Sequence, residues 1–166
     1  MPIKLISVDA LAANTGDFHI LDCSLVMDKS FDPVERHQAT HIAGAHFLTL
    51  SDLCDKSSPY FLMMPHKDTV VAHMSNLGVG LSKPIVCYDT QNGIWATRAA
   101  FTLNAHGHPD VRVLDGGLIF WQASGKPVES GSVAKGNDTN FGFEFHQDHV
   151  ALFEEVNEIS TGAKQV

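Results

Sequence analysis

Hydrophobic and polar positions fall along this chain in blocks whose period changes, and the changes predict alternating helices and strands. Residues 7–14 read as a small helix with Ser7 as N-cap and Asn14-Thr15-Gly16 as its stop, and a strand follows over 19–22. A polar stretch through Arg36 gives way to residues 41–48, where Gly44 permits a bend and a second strand begins at Ala45. Residues 52–65 are loop-rich. Val70, Val71, Met74 and Leu77 then recur at helical spacing, and Gly78 closes that helix ahead of a buried strand over 85–88. The theme repeats as a helix over 95–104 ending near Gly107, a strand over 111–114, an Asp115-Gly116-Gly117 turn and a helix over 118–123. Strand and helix in alternation predict an α/β fold, a mainly parallel sheet covered on both faces.

After residue 128 the pattern breaks. Residues 129–140 are rich in Gly, Ser, Asn and Asp, the composition of a linker. Residues 141–145 alternate like an extended strand, and residues 150–159 carry apolar positions at helical spacing. The division predicted is a domain over 1–128 and a linker with a helical tail over 129–166.

Composition narrows the classes of function. A chain of 166 residues, 44% of them hydrophobic, holds one ordinary domain and a tail. Eleven Lys+Arg against 19 Asp+Glu give a net charge of −8, and no basic run offers a footprint for nucleic acid. Apolar stretches are strand-sized, far short of the roughly 20 residues of a membrane-spanning helix, so no integral membrane protein is expected. Cys23, Cys54 and Cys87 form no CxxC pair and leave one over, which fits a reducing compartment rather than a disulfide framework or a zinc site. The first residues lack the features of a signal or transit peptide, which points to the cytoplasm. His66, His73, His106 and His108 lack the spacing of metal ligands, and His106-Gly107-His108 reads as a helix-end turn, so neither metal nor cofactor is expected.

Candidate chemistry centres on residues 84–98, a buried strand, a loop containing Gly93 and a helix start. At such a junction backbone N–H groups and a helix N-terminus hold an oxyanion or a reactive group. Asp89 occupies the first loop position. Arg98 is placed to pair with Asp89 or to pack its stem on Trp95, and the pair is the preferred reading, since opposite charges near one loop satisfy each other. Cys87 lies within the apolar strand, where a packed thiol is inert. Cys23 follows a strand, and Cys54 sits among acids that disfavour a thiolate.

Several motifs fall in the order seen in rhodanese domains: His41-Ile42-Ala43-Gly44-Ala45, Tyr88-Asp89 with Gly93 and Arg98, Gly107-His108, and Val113-Leu114-Asp115-Gly116-Gly117 with Trp121 and Gly125-Lys126-Pro127. Leu21-Asp22-Cys23-Ser24, Ser58-Pro59-Tyr60, Met64-Pro65 and Leu77-Gly78-Val79 add to them. Residues 3–128 resemble the N-terminal domain of tandem thiosulfate or 3-mercaptopyruvate sulfurtransferases. The resemblance implies a rhodanese α/β fold with a central, mostly parallel five-stranded sheet. Active members carry a persulfide on the cysteine of a Cys-x-x-Gly-x-Thr loop. Here Asp89 takes the cysteine position, and Gly93 falls four residues later rather than three. A carboxylate cannot form a persulfide, and its charge occupies or repels the anion site.

The resemblance also assigns Asp32 and His41 to positions that in mercaptopyruvate sulfurtransferases form a proton relay with the second domain. Beside it stands the plainer reading of His41 as a donor fixing the turn before Gly44, which the isolated chain favours. Residues 129–166 resemble the linker and first helix of a second rhodanese domain that this chain does not contain. Three functions compete. One is a non-catalytic domain serving as a binding or structural subunit, with a protein partner taken through the 141–159 tail, which begins at Phe141 and includes Ile159. Another is the N-terminal half of a split or truncated sulfurtransferase working with a Cys-containing rhodanese partner. The third is an enzyme in its own right, using an unexpected cysteine or Asp89. On any of these readings a mitochondrial location is the alternative to the cytoplasm.

Overall fold

The computed structural model describes residues 3–27, 31–151 and 153–162. Leu152, within the predicted tail helix, and residues 163–166 lie outside them. Five short strands form one sheet: β1 (Lys4–Ile6), β2 (His19–Asp22), β4 (His46–Phe47), β5 (Ile85–Tyr88) and β6 (Val111–Leu114). Their order is β1-β6-β5-β2-β4 and every pairing is parallel. A separate antiparallel pair joins β3 (His41–Ile42) to β7 (Val128–Glu129).

Both faces of the sheet are covered, because successive strand residues point to opposite sides. Ile85 and Cys87 face one core with Leu21, Met74 and Leu103, beneath α3 (Lys67–Leu77) and α4 (Ile94–Ala105). Val86 and Tyr88 face the other with Leu11, Leu118 and Trp121, beneath α1 (Val8–Ala13) and α5 (Gly117–Ala123). Ser7 caps α1 by accepting from the Ala10 N–H, as the sequence predicts. Gly78 ends α3 at φ 68, and an added Cβ there would meet the Gly136 oxygen at 1.9 Å.

Three features escape the sequence pattern. Strand β1 is an edge of only three residues, too short to show a period. Helix α2 (Pro33–Ala39) lies within the stretch read as merely polar, yet Asp32 at its N-cap and Pro33 at its first position are start signals. Residues 141–145 form no strand, because they run past the end of α4 and meet no sheet edge. There the Glu144 and His146 N–H groups donate to the carbonyls of His106 (2.9 Å) and Ala105 (2.7 Å), and Phe143 is fully buried.

The Gly- and Ser-rich segment after β7 is strapped to the domain. Gly136 and Asp138 donate their amides to the Leu77 and Gly78 carbonyls. The Asp138 carboxylate accepts from the Ser82 N–H (3.0 Å), the Asn140 N–H (2.9 Å), the Ser82 hydroxyl and His19 Nε2 (3.1 Å). The tail then ends in α6 (Phe153–Ser160), whose Phe153 and Val156 are 78% and 51% exposed.

Burial alone would raise the Asp138 carboxyl pKa, but its hydrogen bonds outweigh that and hold it far below the ordinary carboxylate range. A depressed folded pKa stabilises above the unfolded value, near 3.9, and the benefit fades as pH falls below about 4. Asp138→Ala is expected to cost about 1–3 kcal/mol in urea unfolding at neutral pH. It should also speed amide exchange at Gly136 and Asn140, and the difference from wild type should shrink as pH drops below about 4.

Candidate functional site: the loop after β5

The junction between β5 and α4 closes on one buried side chain. Asp89 is 1% exposed. Its Oδ1 accepts from the Gln91 and Gly93 N–H groups (2.9 and 3.0 Å), and its Oδ2 from those of Trp95 and Ala96 (3.0 and 3.1 Å). A carboxylate offers about four lone-pair sites, and four amides fill them. Gly93, the residue at the helix N-cap, has no side chain with which to cap, and it adopts φ 84. Asp89 supplies the cap from four residues upstream, with its charge at the positive end of the helix dipole. The N–H groups that could hold a bound anion thus hold the protein's own carboxylate. With its lone pairs engaged, Asp89 is a poor nucleophile.

The backbone of Asp89 is held as closely. Its carbonyl accepts from the Leu118 N–H at 3.1 Å, and a Cβ on Gly117 would lie 2.5 Å from that oxygen. The Gly116-Gly117 turn after β6 can therefore approach the loop only as glycine, and a cleft of about 310 Å³ opens between them.

Arg98 does not pair with Asp89. It donates instead to the Leu62 carbonyl, and its guanidinium carbon lies 6.0 Å from the centre of the Phe101 ring rather than over Trp95. The Asp89 acceptors are already taken, and Leu62, at φ 55, is a non-glycine residue in the left-handed region whose carbonyl this bond secures. Burial lowers the Arg98 pKa.

Asp32 and His41 also find separate partners. Exposed Asp32 caps α2 by accepting from the Val34 N–H at 2.7 Å. His41 is buried, its Nδ1 donates to the His37 carbonyl at 2.7 Å, and its Nε2 is buried without a partner among the described residues. The carboxylate beside this histidine cluster is Asp22, at the end of β2. Its Oδ2 accepts from His37 Nδ1 at 2.9 Å, and the His37 and His41 rings stack at 4.2 Å with 15° between planes. Asp22 Oδ1 accepts from the Ser24 hydroxyl at 2.5 Å, and the Ser24 oxygen accepts from the Thr90 N–H at 3.1 Å. A buried chain of hydrogen bonds thus joins the Asp89 loop to the stacked histidines. Sequence reading overlooked His37 and the role of Asp22. The available signal was an acid directly after the apolar pair Ile20-Leu21 in a strand, because a buried carboxylate must find donors.

Cys23, Cys54 and Cys87 are free and buried. Burial, followed by a hydrogen bond with Cys87, pushes the Cys23 thiol pKa well above its ordinary value. Cys54 donates to the Ser51 carbonyl at 3.2 Å. His106 lies at the end of α4, with ring nitrogens 2.8 and 3.0 Å from the Thr102 and Pro65 carbonyls. Among the described residues, no three His, Cys, Asp or Glu side chains are placed to hold a metal ion, and no helix is long and apolar enough to cross a membrane.

A family model, the rhodanese-like domain, matches residues 7–124. The chain belongs to the rhodanese family. Within that family it is 36% identical over 129 residues to thiosulfate/3-mercaptopyruvate sulfurtransferase 2 of Arabidopsis thaliana, covering 76% of this chain and 38% of the relative. The mitochondrial sulfurtransferase 1 of the same plant is 37% identical, with 76% and 34% covered. The chain therefore spans less than half the length of these relatives. The 3-mercaptopyruvate sulfotransferase SseA of Escherichia coli superposes with a TM-score of 0.91 at 28% identity, over 98% of this chain and 63% of that one. Similarity to the N-terminal part of the tandem enzymes is consistent with these matches.

Because Asp89 holds the turn and the first turn of α4 together, Asp89→Ala is expected to lower the unfolding free energy by roughly 2–4 kcal/mol. Asp89→Asn should recover little of it, since its amide NH₂ would face N–H donors. Urea titrations of the two variants and wild type provide the measurement.

Proposed function

We propose that this chain is a rhodanese-like domain without sulfur-transfer chemistry of its own, serving as a binding or structural subunit of a larger assembly. The observation that carries the reading is the Asp89 carboxylate occupying the amide cradle of the loop. The burial of all three thiols supports it, because none is exposed enough to replace a loop cysteine. The tail supplies the contact to a partner: Phe153 and Val156 stand exposed on one helix, with Ile159 half-buried beyond them.

A second reading has support of its own. The matches take in 76% and 98% of this chain but only 38% of the plant relative and 63% of SseA. On that reading it is the N-terminal half of a split or truncated thiosulfate/3-mercaptopyruvate sulfurtransferase, and a chain with a Cys-containing loop completes it. Residues 129–166 then correspond to the linker and the opening of the second domain. Free cysteines suit a reducing compartment, the cytoplasm on the composition of this chain or the mitochondrion in keeping with the plant relative.

Sulfurtransferase assays with thiosulfate and with 3-mercaptopyruvate separate these readings. Purified wild type is expected to show no turnover above background, and Asp89→Cys alone to remain inactive, because the loop keeps its extra residue before Gly93. Adding a Cys-loop rhodanese chain that gains activity, and loses the gain with Phe153→Ser/Val156→Ser, supports the second reading. Unchanged activity of that chain supports the first. Wild-type turnover abolished by Cys87→Ser overturns both.

A further inference from the structure

The cleft beside the Asp89 loop has walls unlike its floor. The floor is backbone, Gly93 from one side and Gly116-Gly117 from the other. Its lining includes three exposed apolar side chains, Leu5 of β1 and Ile119 and Phe120 of α5, which are 70%, 53% and 60% exposed, beside the polar Gln91, Asn92 and Thr97. Large apolar groups gathered on one concavity mark a contact surface rather than the scattered exposure of an ordinary face. The turn is shaped to seat one of them: a Cβ on Gly116 would fall 2.2 Å from the Phe120 ring, so the ring lies over a position that only glycine leaves open.

Charge selects the occupant. Asp115 is the one charged side chain lining the cleft among the described residues. It is exposed, and its carboxylate neither accepts a hydrogen bond nor forms an ion pair among those residues. An anion beside three exposed apolar side chains in a cleft of mixed lining, in a chain of net charge −8, complements a long apolar stem that ends in a cation. The volume, about 310 Å³, sits at the small end of binding cavities and suits a single side chain rather than a helix.

We propose that this cleft receives a lysine or arginine side chain from a protein partner, its stem against Leu5 and Ile119 and its cation between Asp115 and the face of Phe120. The inference rests on the reading of the chain as a binding domain for its biological use. The contact itself is independent of whether sulfur transfer occurs and of the tail, so its failure and that of the functional reading are distinguishable.

The test is amide NMR of the full chain titrated with acetylated, amidated Gly-Arg-Gly, its lysine counterpart and a norleucine-centred control. Expected is a saturable shift at the Gly93, Gly116 and Gly117 amides with the arginine and lysine peptides, and little with norleucine. Asp115→Asn should weaken the response several-fold and Phe120→Ala should remove most of it, both in spectra that keep the wild-type pattern elsewhere. Equal shifts from norleucine, binding unchanged in Asp115→Asn, shifts confined to the tail, or no shift with any peptide would each overturn the proposal.

Discussion

The capping of α4 by Asp89 is the interaction on which the rest of the site depends. One buried carboxylate satisfies four amides that would otherwise lack partners, and burying it is tolerable because those amides satisfy it in return. Remove the charge, and the first turn of α4 and the loop lose their common anchor. Remove the amides, and a charge is left in the core. This mutual dependence gives Asp89 an architectural role. The fold keeps the shape of an anion site while the chain itself supplies the anion.

A second carboxylate repeats the solution one strand away. Asp22 ends β2 as Asp89 follows β5, and it too is buried and fully engaged, by His37 and Ser24. The bond from the Thr90 amide to Ser24 makes the two sites neighbours in one network. Networks of this kind favour a single arrangement, since any one member left unpaired carries a desolvation penalty. His41 stands at the margin, stacked on His37 with one nitrogen bonded and the other buried without a partner.

Much of this was legible in the sequence where a residue's role is local. The strands at 85–88 and 111–114, the Gly78 cap and the Ser7 cap all follow from period and capping chemistry, because they depend on neighbours within a few residues. Asp89 was legible as an acid in an anion site. Its four partners were not, nor was the failure of Arg98 to reach it, since the direction of a long side chain depends on a loop 36 residues away. Asp32 and His41, which the family resemblance assigns to one relay with a second domain, have separate contacts within this chain, a helix cap and the His37 carbonyl. The contacts of the segment after β7 were not legible either. Glycine and serine permit flexibility but do not impose it, and Gly136 is there because two backbones cross at contact distance.

Strand β2 joins these features in a way that neither end shows alone. At its start His19 holds the Asp138 strap, and at its finish Asp22 joins the network that leads to the loop. The two residues lie three positions apart, roughly 10 Å of extended chain. The strand is thus a short rod with a carboxylate seated at each end, one from the tail and one from the sheet. By thermodynamic reciprocity, any coupling between the two ends acts equally in both directions. The strap after β7 and the Asp89 loop thus meet the same short strand from opposite ends.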